Sequence, residues 1–274
     1  MCPHCRAFIT TSDRVCPYCN EKVGTRAIDR RSPSPILGGL IPHARFTTVI
    51  ILLVNFGLYL VTVVASMRAG NGQAFMNLDG QTLLEFGAKV PRGSGLFAWW
   101  RLITAGFLHG GLLHIAMNSW VLFDVGAQVE EIYGTSRMLV IYFVSTITGF
   151  YLSAVWYRGI SVGASAALMG LIGAMIALSL LHRSELTRAI RGQYIRWVIY
   201  ILIMGLLPGI GIDNAAHIGG LAGGFVVAYL AGLPRFEGSW HENAWRIASY
   251  ACIAVTALSF FEMYRWLTQV APGL

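Results

Sequence analysis

Four residues with reactive or hydrogen-bonding side chains lie inside otherwise apolar stretches of this sequence. Ser165 occurs in GISVGASAALMGLIGAM, His217 in DNAAHIGGLAGG, and both His114 and Asn118 in FLHGGLLHIAMNSW. A serine hydroxyl attacks efficiently when a neutral histidine about 3 Å away removes its proton during the attack. Ser165 and His217 are therefore predicted to be a nucleophile and its general base, provided that their segments meet in the fold.

The tetrahedral intermediate of such an attack carries an oxyanion, which needs fixed hydrogen-bond donors. His114 and Asn118 are four residues apart, so they share one face of a helix, and both can donate. The backbone N–H of Ser165 at a helix start is a third candidate donor. His109 precedes this helix and adds a third imidazole to the set. The alternative is structural: interhelical hydrogen bonds worth about 0.6 kcal/mol each, with Ser165 as a packing residue.

No third member of a catalytic triad is evident in the sequence. Asp213 lies four residues before His217, but its position beside Asn214 in a loop predicts a helix cap. Asp124 lies nearer Glu130 than this cluster and is predicted to make a structural hydrogen bond. Arg101 follows two tryptophans and is interpreted as an anchor at the membrane interface.

Four cysteines within the first 20 residues predict a metal site. Cys2 and Cys5 lie in CPHC, and Cys16 and Cys19 in CPYC, the pattern of four thiolates in two tight turns around tetrahedral zinc. A segment this short cannot fold by apolar burial, so the metal would supply the folding free energy. The pattern resembles a zinc ribbon and predicts a structural or regulatory module. Iron in place of zinc, and a pair of reducible thiols without metal, remain alternatives.

The composition indicates a membrane protein. Charged residues are 12% of the 274, against roughly 25% in soluble domains, hydrophobic residues are 55%, and the mean hydropathy is +0.60. The net charge of +7 does not indicate nucleic-acid binding, because the basic residues are spread between apolar runs. We therefore expect the lipid bilayer as a partner and no nucleic acid.

Apolar runs long enough to cross about 30 Å of hydrocarbon predict seven membrane-spanning helices. We place them at 46–67, 112–129, 138–156, 164–181, 196–212, 215–233 and 246–268. The predicted domains are a metal module over 1–20, a basic Pro/Gly/Ser-rich linker over 21–45, a six-helix core over 46–235, and a seventh helix with the C-terminus over 236–274.

The distribution of basic residues predicts the orientation. With a cytoplasmic N-terminus, most of the 20 Lys and Arg residues fall in cytoplasmic segments, which satisfies the positive-inside rule. The C-terminus is then external, and residues near 110, 164 and 215 lie near the external face. The start of the chain lacks the basic and apolar regions of a signal peptide. We expect an integral protein of the plasma (inner) membrane.

Three motifs occur in order on the second, fourth and sixth predicted helices: HGGLLHIAMN, GASAALMG and AHIGGLAGG. Together they resemble the rhomboid intramembrane serine proteases, over about residues 42–235. WWRLITAGFLHGG is similar to the Trp-Arg element of the family's first external loop. The resemblance implies an all-α, polytopic membrane helical bundle of six core helices, here with one additional C-terminal helix.

By the same resemblance, Ser165 is the nucleophile, His217 the base, and His114 and Asn118 the oxyanion-stabilising side chains. His109 would support the site, and Gly163 would hold the turn before the serine. Gly219, Gly220, Gly223 and Gly224 would bring the sixth helix against the fourth.

The sequence departs from the family pattern at two positions near the nucleophile. Ala166 replaces a frequent glycine, which tightens the space beside Ser165. Met169 stands where a ring often packs near the histidine, and a methionine is more flexible than an aromatic side chain. These changes are compatible with reduced or altered activity.

The resemblance implies an intramembrane serine endopeptidase that cleaves single-pass transmembrane substrates near the external membrane boundary. No cofactor is needed for this catalysis, and the zinc would be structural. The metal module would engage a cytosolic partner or regulate substrate access. One alternative is a catalytically silent rhomboid-like protein that binds membrane clients, and another is a transporter whose histidines relay protons.

Overall fold

The structure is a computed structural model that describes residues 45–182, 184–209, 211–234 and 239–269 of the membrane part. Of the N-terminal part it describes residues 2, 4, 5, 7–9, 13, 15–21 and 23. The predicted linker over 21–45 lies outside the described residues except for Glu21, Val23 and Arg45.

The described residues form ten α-helices and one π-helical turn, with no β-strand beyond an isolated bridge between Lys89 and Ser161. The helices are α1 (Phe46–Arg68), α2 (Gly80–Glu85), α3 (Arg101–Thr104), α4 (Leu112–Val121), α5 (Ala127–Tyr133), α6 (Thr135–Trp156), α7 (Ser165–Leu181), α8 (Glu185–Met204), α9 (Asn214–Ala231) and α10 (Trp240–Gln269). The π-helical turn, Leu122–Gly126, joins α4 to α5 without a break. The predicted class, a polytopic helical bundle, is confirmed.

Four helices of the described part are long and apolar enough to cross a membrane: α1, α6, α9 and α10. Helix α7 is apolar but shorter, and α8 carries charges in its first half. The second predicted span consists of α4, the π-helical turn and α5, which follow one another continuously. Six of the seven predicted helices lie where expected, with ends that differ by one or two turns at most.

The fifth helix was predicted wrongly at both ends, over 196–212 instead of Glu185–Met204. Its true start is a capping box. The hydroxyl of Ser184 accepts from the backbone N–H of Thr187, and the hydroxyl of Thr187 accepts from the backbone N–H of Ser184. Because charged residues interrupt the apolar pattern in the first half of α8, hydropathy alone placed the start too late.

Glycines of α9 allow this helix to pack in direct backbone contact with two neighbours. A methyl group added to Gly220 would lie 2.7 Å from the carbonyl carbon of Ala166 in α7, and one on Gly224 would lie 2.5 Å from that of Gly170. Gly219 and Gly223 instead face Thr148 of α6. The prediction that all four glycines face the fourth predicted span, here α7, is therefore half right.

The N-terminus of α1 is capped by a residue from another helix. The carboxylate of Glu130 in α5 is fully buried and accepts from the backbone N–H groups of Thr47 and Thr48, both at 3.0 Å. It also accepts from the Thr48 hydroxyl. Because a helix N-terminus presents unpaired N–H groups and positive potential, this carboxylate satisfies both requirements and ties α5 to α1.

Helix α10 is attached to the six-helix core at both of its ends. Arg137 of α6 makes a bidentate ion pair with Glu242, at 2.6 and 2.8 Å. Further along α10, Phe260 packs edge-on against Phe107, and Trp266 packs against Trp100. The seventh helix therefore contacts both α6 and the segment that leads into α4.

Candidate functional site

Ser165 is the first residue of α7 and follows a turn that requires glycine. Gly163 has φ of +125°, a conformation that side-chain-bearing residues rarely adopt, and its N–H donates to the Ala105 carbonyl at 2.9 Å. This turn presents Ser165 at the helix start, where the residue is half-buried and its backbone N–H lies in the first, unpaired turn.

His217 lies in the first turn of α9, and its ring reaches the hydroxyl of Ser165. Nε2 of His217 and Oγ of Ser165 are 2.9 Å apart, a hydrogen-bonding distance between residues that are 52 positions apart in sequence. Nδ1 of His217 is buried and makes no hydrogen bond within the described structure. Among the described residues, none therefore orients the base through this nitrogen.

Asp213 caps α9, as the sequence predicted. Its Oδ1 accepts from the backbone N–H of Ala216 at 3.0 Å, and its Oδ2 accepts from the hydroxyl of Ser153. The backbone N–H of His217 donates to the Asp213 carbonyl at 3.1 Å. The carboxylate thus defines the start of the helix that carries the base.

The ring of His114 lies beside the turn that precedes Ser165. A methyl group on Gly163 would lie 2.6 Å from Nε2 of His114 and 3.8 Å from Oγ of Ser165, so the ring and the hydroxyl flank the same backbone. The backbone N–H of Gly110 donates to Nδ1 of His114 at 3.3 Å. A neutral imidazole whose Nδ1 accepts must carry its proton on Nε2, so His114 directs an N–H toward this turn.

The two remaining polar residues of the predicted set differ in their environment. Asn118 is buried, and its amide donates to the His114 carbonyl at 2.9 Å, which uses one of its two N–H bonds. His109 is fully buried, and its ring lies edge-on to that of His114 with centroids 5.2 Å apart. His109 therefore contacts His114 and supports its ring from the side.

Arg101 is buried, and its interpretation as an interfacial anchor was wrong. Its side chain is 1% exposed and donates to the carbonyls of Leu84 and Ala88, at 2.8 and 3.0 Å. The guanidinium lies against the rings of Trp100 and Trp266. Arg101 thus organises the segment between α1 and α4, a role that the WWR pattern did not reveal.

The positions that depart from the family pattern are both buried beneath the site. A methyl group on Gly149 of α6 would lie 2.7 Å from the Cβ of Ala166, so Ala166 packs where α6 approaches α7. Met169 is 2% exposed and belongs to the apolar core of the bundle.

Asp124 accepts from the side chain of Gln128, the structural hydrogen bond that was predicted.

The four N-terminal cysteines form a separate cluster. Their sulfur atoms all lie within 4.8 Å of one another, and the Cys2–Cys19 and Cys5–Cys16 pairs are both 3.6 Å apart. Four thiolates about 2.3 Å from one tetrahedral zinc ion would be about 3.8 Å from each other. The cluster can hold a metal ion.

Comparison with known proteins identifies the membrane part. The family model described as "Rhomboid domain" matches residues 96–234, which include Ser165 and His217. Rhomboid protease GluP of Bacillus subtilis (strain 168) is 42% identical over 155 residues, 57% of this chain and 30% of that protein. RHOMBOID-like protein 6, mitochondrial, of Arabidopsis thaliana is 37% identical over 177 residues, 61% of this chain and 55% of that protein.

A relative of more similar extent is Rhomboid-like protease 2 of Toxoplasma gondii. It is 31% identical over 222 residues, which cover 79% of this chain and 76% of that protein. The range matched by the family model contains two of the four apolar helices, α6 and α9, while α1 precedes this range and α10 follows it. The chain is therefore an integral membrane protein that belongs to the rhomboid family.

Proposed function

We propose that this chain is an intramembrane serine endopeptidase that cleaves single-pass membrane proteins near the external membrane boundary. The observation that carries the proposal is the 2.9 Å separation of Ser165 Oγ and His217 Nε2, contributed by α7 and α9. The names of the related proteases support the same chemistry. A packing serine would not require an imidazole at this distance.

In the proposed reaction, Nε2 of His217 accepts the proton of the Ser165 hydroxyl while Oγ attacks the scissile carbonyl carbon. The protonated imidazole then donates that proton to the departing amine, which leaves an acyl-enzyme. Water attacks this ester with His217 again as base and releases the carboxylic acid. The partly exposed side of Ser165 provides access for this water.

Three donors near the nucleophile suit the oxyanion of the tetrahedral intermediates. They are the backbone N–H of Ser165, the Nε2–H of His114 and the unused amide N–H of Asn118. Each donor of this type stabilises the transition state by about 3 to 4 kcal/mol. His109 and Gly163 act on the set indirectly, because they support the His114 ring and shape the turn beside it.

The substrate class follows from the location of this pair within a membrane protein. A transmembrane segment of a single-pass protein can reach the site laterally, but an intact helix keeps its carbonyl groups in internal hydrogen bonds. The scissile segment must therefore unwind before attack, and small or helix-destabilising residues would favour this step. The residues at the site, near the start of α7 and α9, lie toward the external face in the proposed orientation.

The proposal is tested with purified protein in detergent. Wild type and Ser165→Ala are incubated with a panel of single-span substrates, the product masses are read, and a fluorophosphonate probe reports the reactive serine. We expect products and labelling in wild type and neither in the variant. A folded wild type that neither reacts with the probe nor cleaves would instead favour a catalytically silent protein that binds membrane clients.

Asn118→Ala is expected to lower kcat by about 10²-fold with a much smaller change in KM. An oxyanion donor acts mainly in the transition state, so its removal affects turnover more than substrate binding. Steady-state kinetics of one cleaved substrate measure both constants. An increase in KM with unchanged kcat would show that Asn118 serves ground-state binding instead.

For the cysteine cluster we propose a structural zinc ion held by Cys2, Cys5, Cys16 and Cys19. The geometry of the four sulfur atoms supports it, and iron has the same ligand preference. With the N-terminus in the cytosol, as the basic residues favour, the module would engage a cytosolic partner or regulate substrate access. Nothing in the module suggests a catalytic role.

The double variant Cys5→Ser, Cys16→Ser is expected to lose the metal while the membrane bundle remains folded, because two of four ligands are removed far from the core in sequence. Elemental analysis gives the zinc or iron content, and thermal unfolding reports the bundle. Cys252→Ser in α10 is the matched control and should retain the metal. Retention of one metal per chain by the double variant would contradict the proposed ligand set.

A further inference from the structure

Lys89 is a fully buried lysine for which the proposed reaction has no use. Its ammonium group donates to the carbonyls of Gly159 and Tyr157, at 2.9 and 3.1 Å, and approaches that of Ser153 at 3.4 Å. These carbonyls belong to the last turn of α6 and the residues just after it. A cation is favourable at a helix C-terminus, where carbonyl groups are unpaired and the potential is negative.

The backbone of Lys89 holds the segment that leads to the nucleophile. Its N–H donates to the Ser161 carbonyl at 3.0 Å, and the Ser161 N–H donates back to the Lys89 carbonyl at 3.1 Å. Ser161 is four residues before Ser165 in a short connection from α6 to α7. Lys89 therefore fixes both ends of this connection, one through its side chain and the other through its backbone.

Ser153 joins the same region to the helix of the base. Its carbonyl faces the Lys89 ammonium, while its hydroxyl donates to Oδ2 of Asp213. The other carboxylate oxygen of Asp213, Oδ1, caps α9 by accepting from the backbone N–H of Ala216, the residue before His217. A continuous set of hydrogen bonds thus runs from the connection before Ser165, through Lys89 and Ser153, to the first turn of α9.

We propose that Lys89, Ser153 and Asp213 are positioning residues that hold the nucleophile segment and the base helix in register. The proposal rests on the proposed function for its catalytic consequence. Lys89 and Asp213 carry opposite charges on either side of Ser153, so their attraction supports the hydrogen bonds. Because no residue in the described part of the chain binds Nδ1 of His217, the start of α9 is what determines the position of the base.

The Ser153→Ala variant tests this inference with the smallest structural change. We expect kcat to fall at least about tenfold with an unchanged KM, since displacements of about 1 Å in a catalytic pair reduce rates by up to 10²-fold. The matched control is Ser145→Ala, on the same helix and equally buried. Within the described residues, the Ser145 hydroxyl donates only to the Ile141 carbonyl of its own helix. The kcat of Ser145→Ala should match wild type.

Variants at Lys89 and Asp213 separate positioning from general stability. Lys89→Met replaces the ammonium by an uncharged side chain of similar length without N–H donors, and it should lower kcat as much as Ser153→Ala does. Lys89→Arg retains a charge and donors and should lower kcat less than Lys89→Met. Asp213→Asn retains a capping oxygen and should be milder than Asp213→Ala. If the wild type is active and Ser153→Ala and Ser145→Ala both have its kcat, the proposal is overturned.

A second measurement does not depend on proteolytic activity. Hydrogen–deuterium exchange of the peptide that contains Ala216 and His217 should be faster in Ser153→Ala than in wild type and in Ser145→Ala. Exchange in α8 and α10 should not change. Unchanged exchange at the start of α9 would overturn the positioning role even if the wild type proved inactive, which distinguishes it from failure of the proposed protease activity.

Discussion

Replacement of Ser165 or of His217 by alanine is expected to reduce turnover by at least about 10³-fold, without unfolding the protein. Without the hydroxyl there is no nucleophile, and without the imidazole the hydroxyl keeps its proton. The two losses should not add, because either change removes the same proton-transfer pair. The double variant should therefore be about as inactive as each single variant.

The measurement is the rate of product formation from one cleaved substrate, followed by mass. Ser179→Ala is the control for the serine, because Ser179 is buried near the other end of α7 and its hydroxyl donates, in the part of the chain that the structure describes, only to the Ile176 carbonyl. His182→Ala, at the exposed end of the same helix, is the control for the histidine. Retained turnover in Ser165→Ala or His217→Ala would exclude the dyad.

The second large effect is expected from Gly220→Ala, where α9 crosses α7. The added methyl would lie 2.7 Å from the carbonyl carbon of Ala166 and 3.1 Å from its Cα, and backbone cannot move aside as a flexible side chain can. The helices must separate, which destabilises a packed bundle by about 1 to 3 kcal/mol. Because Ser165 is adjacent to Ala166 on α7 and His217 is on α9, the same movement separates the dyad, and kcat should fall by about 10²-fold.

Gly57→Ala provides a matched control for this substitution. Gly57 lies within α1, and a methyl added there meets no atom of the described residues within 4 Å. Alanine is favoured over glycine in a helix by about 0.5 to 1 kcal/mol, so this variant should unfold at the same or a higher temperature. If Gly220→Ala kept the turnover and the unfolding temperature of the wild type, the close α7–α9 contact would not determine the position of the dyad.

The sequence was sufficient to predict the helices whose apolar runs match the thickness of a bilayer. Helix α1 is one example, since its predicted range of 46–67 differs from Phe46–Arg68 by a single residue. Helix α8 shows the limit of this reasoning, because its first half is charged and its start depends on the local hydrogen bonds of Ser184. Hydropathy measures transfer to lipid, and it does not detect a helix that extends beyond the hydrocarbon.

Buried charged residues were the part of the site region that the sequence did not explain. In the sequence, Arg101 and Lys89 are compatible with loop positions on an external surface. In the structure both side chains are buried and donate hydrogen bonds to backbone carbonyls. Their only signal was their occurrence in a stretch of mostly apolar residues, AKVP and AWWR. Which carbonyls they contact depends on chain segments that are distant in sequence.

The sequence by itself determined a helical membrane protein, the four clustered cysteines, and the identity of the residues able to act as nucleophile, base and donors. These properties follow from residue type and local spacing, which set hydropathy, helix formation and chemical reactivity. Only the tertiary structure decided that Ser165 and His217 lie 2.9 Å apart and that two glycines of α9 face α6. It also decided that Asp213 binds Ser153 and that no described residue hydrogen-bonds to Nδ1 of His217. The reason is that these distances depend on how closely the backbones of α6, α7 and α9 pack, and that packing results from contacts between segments far apart in the chain.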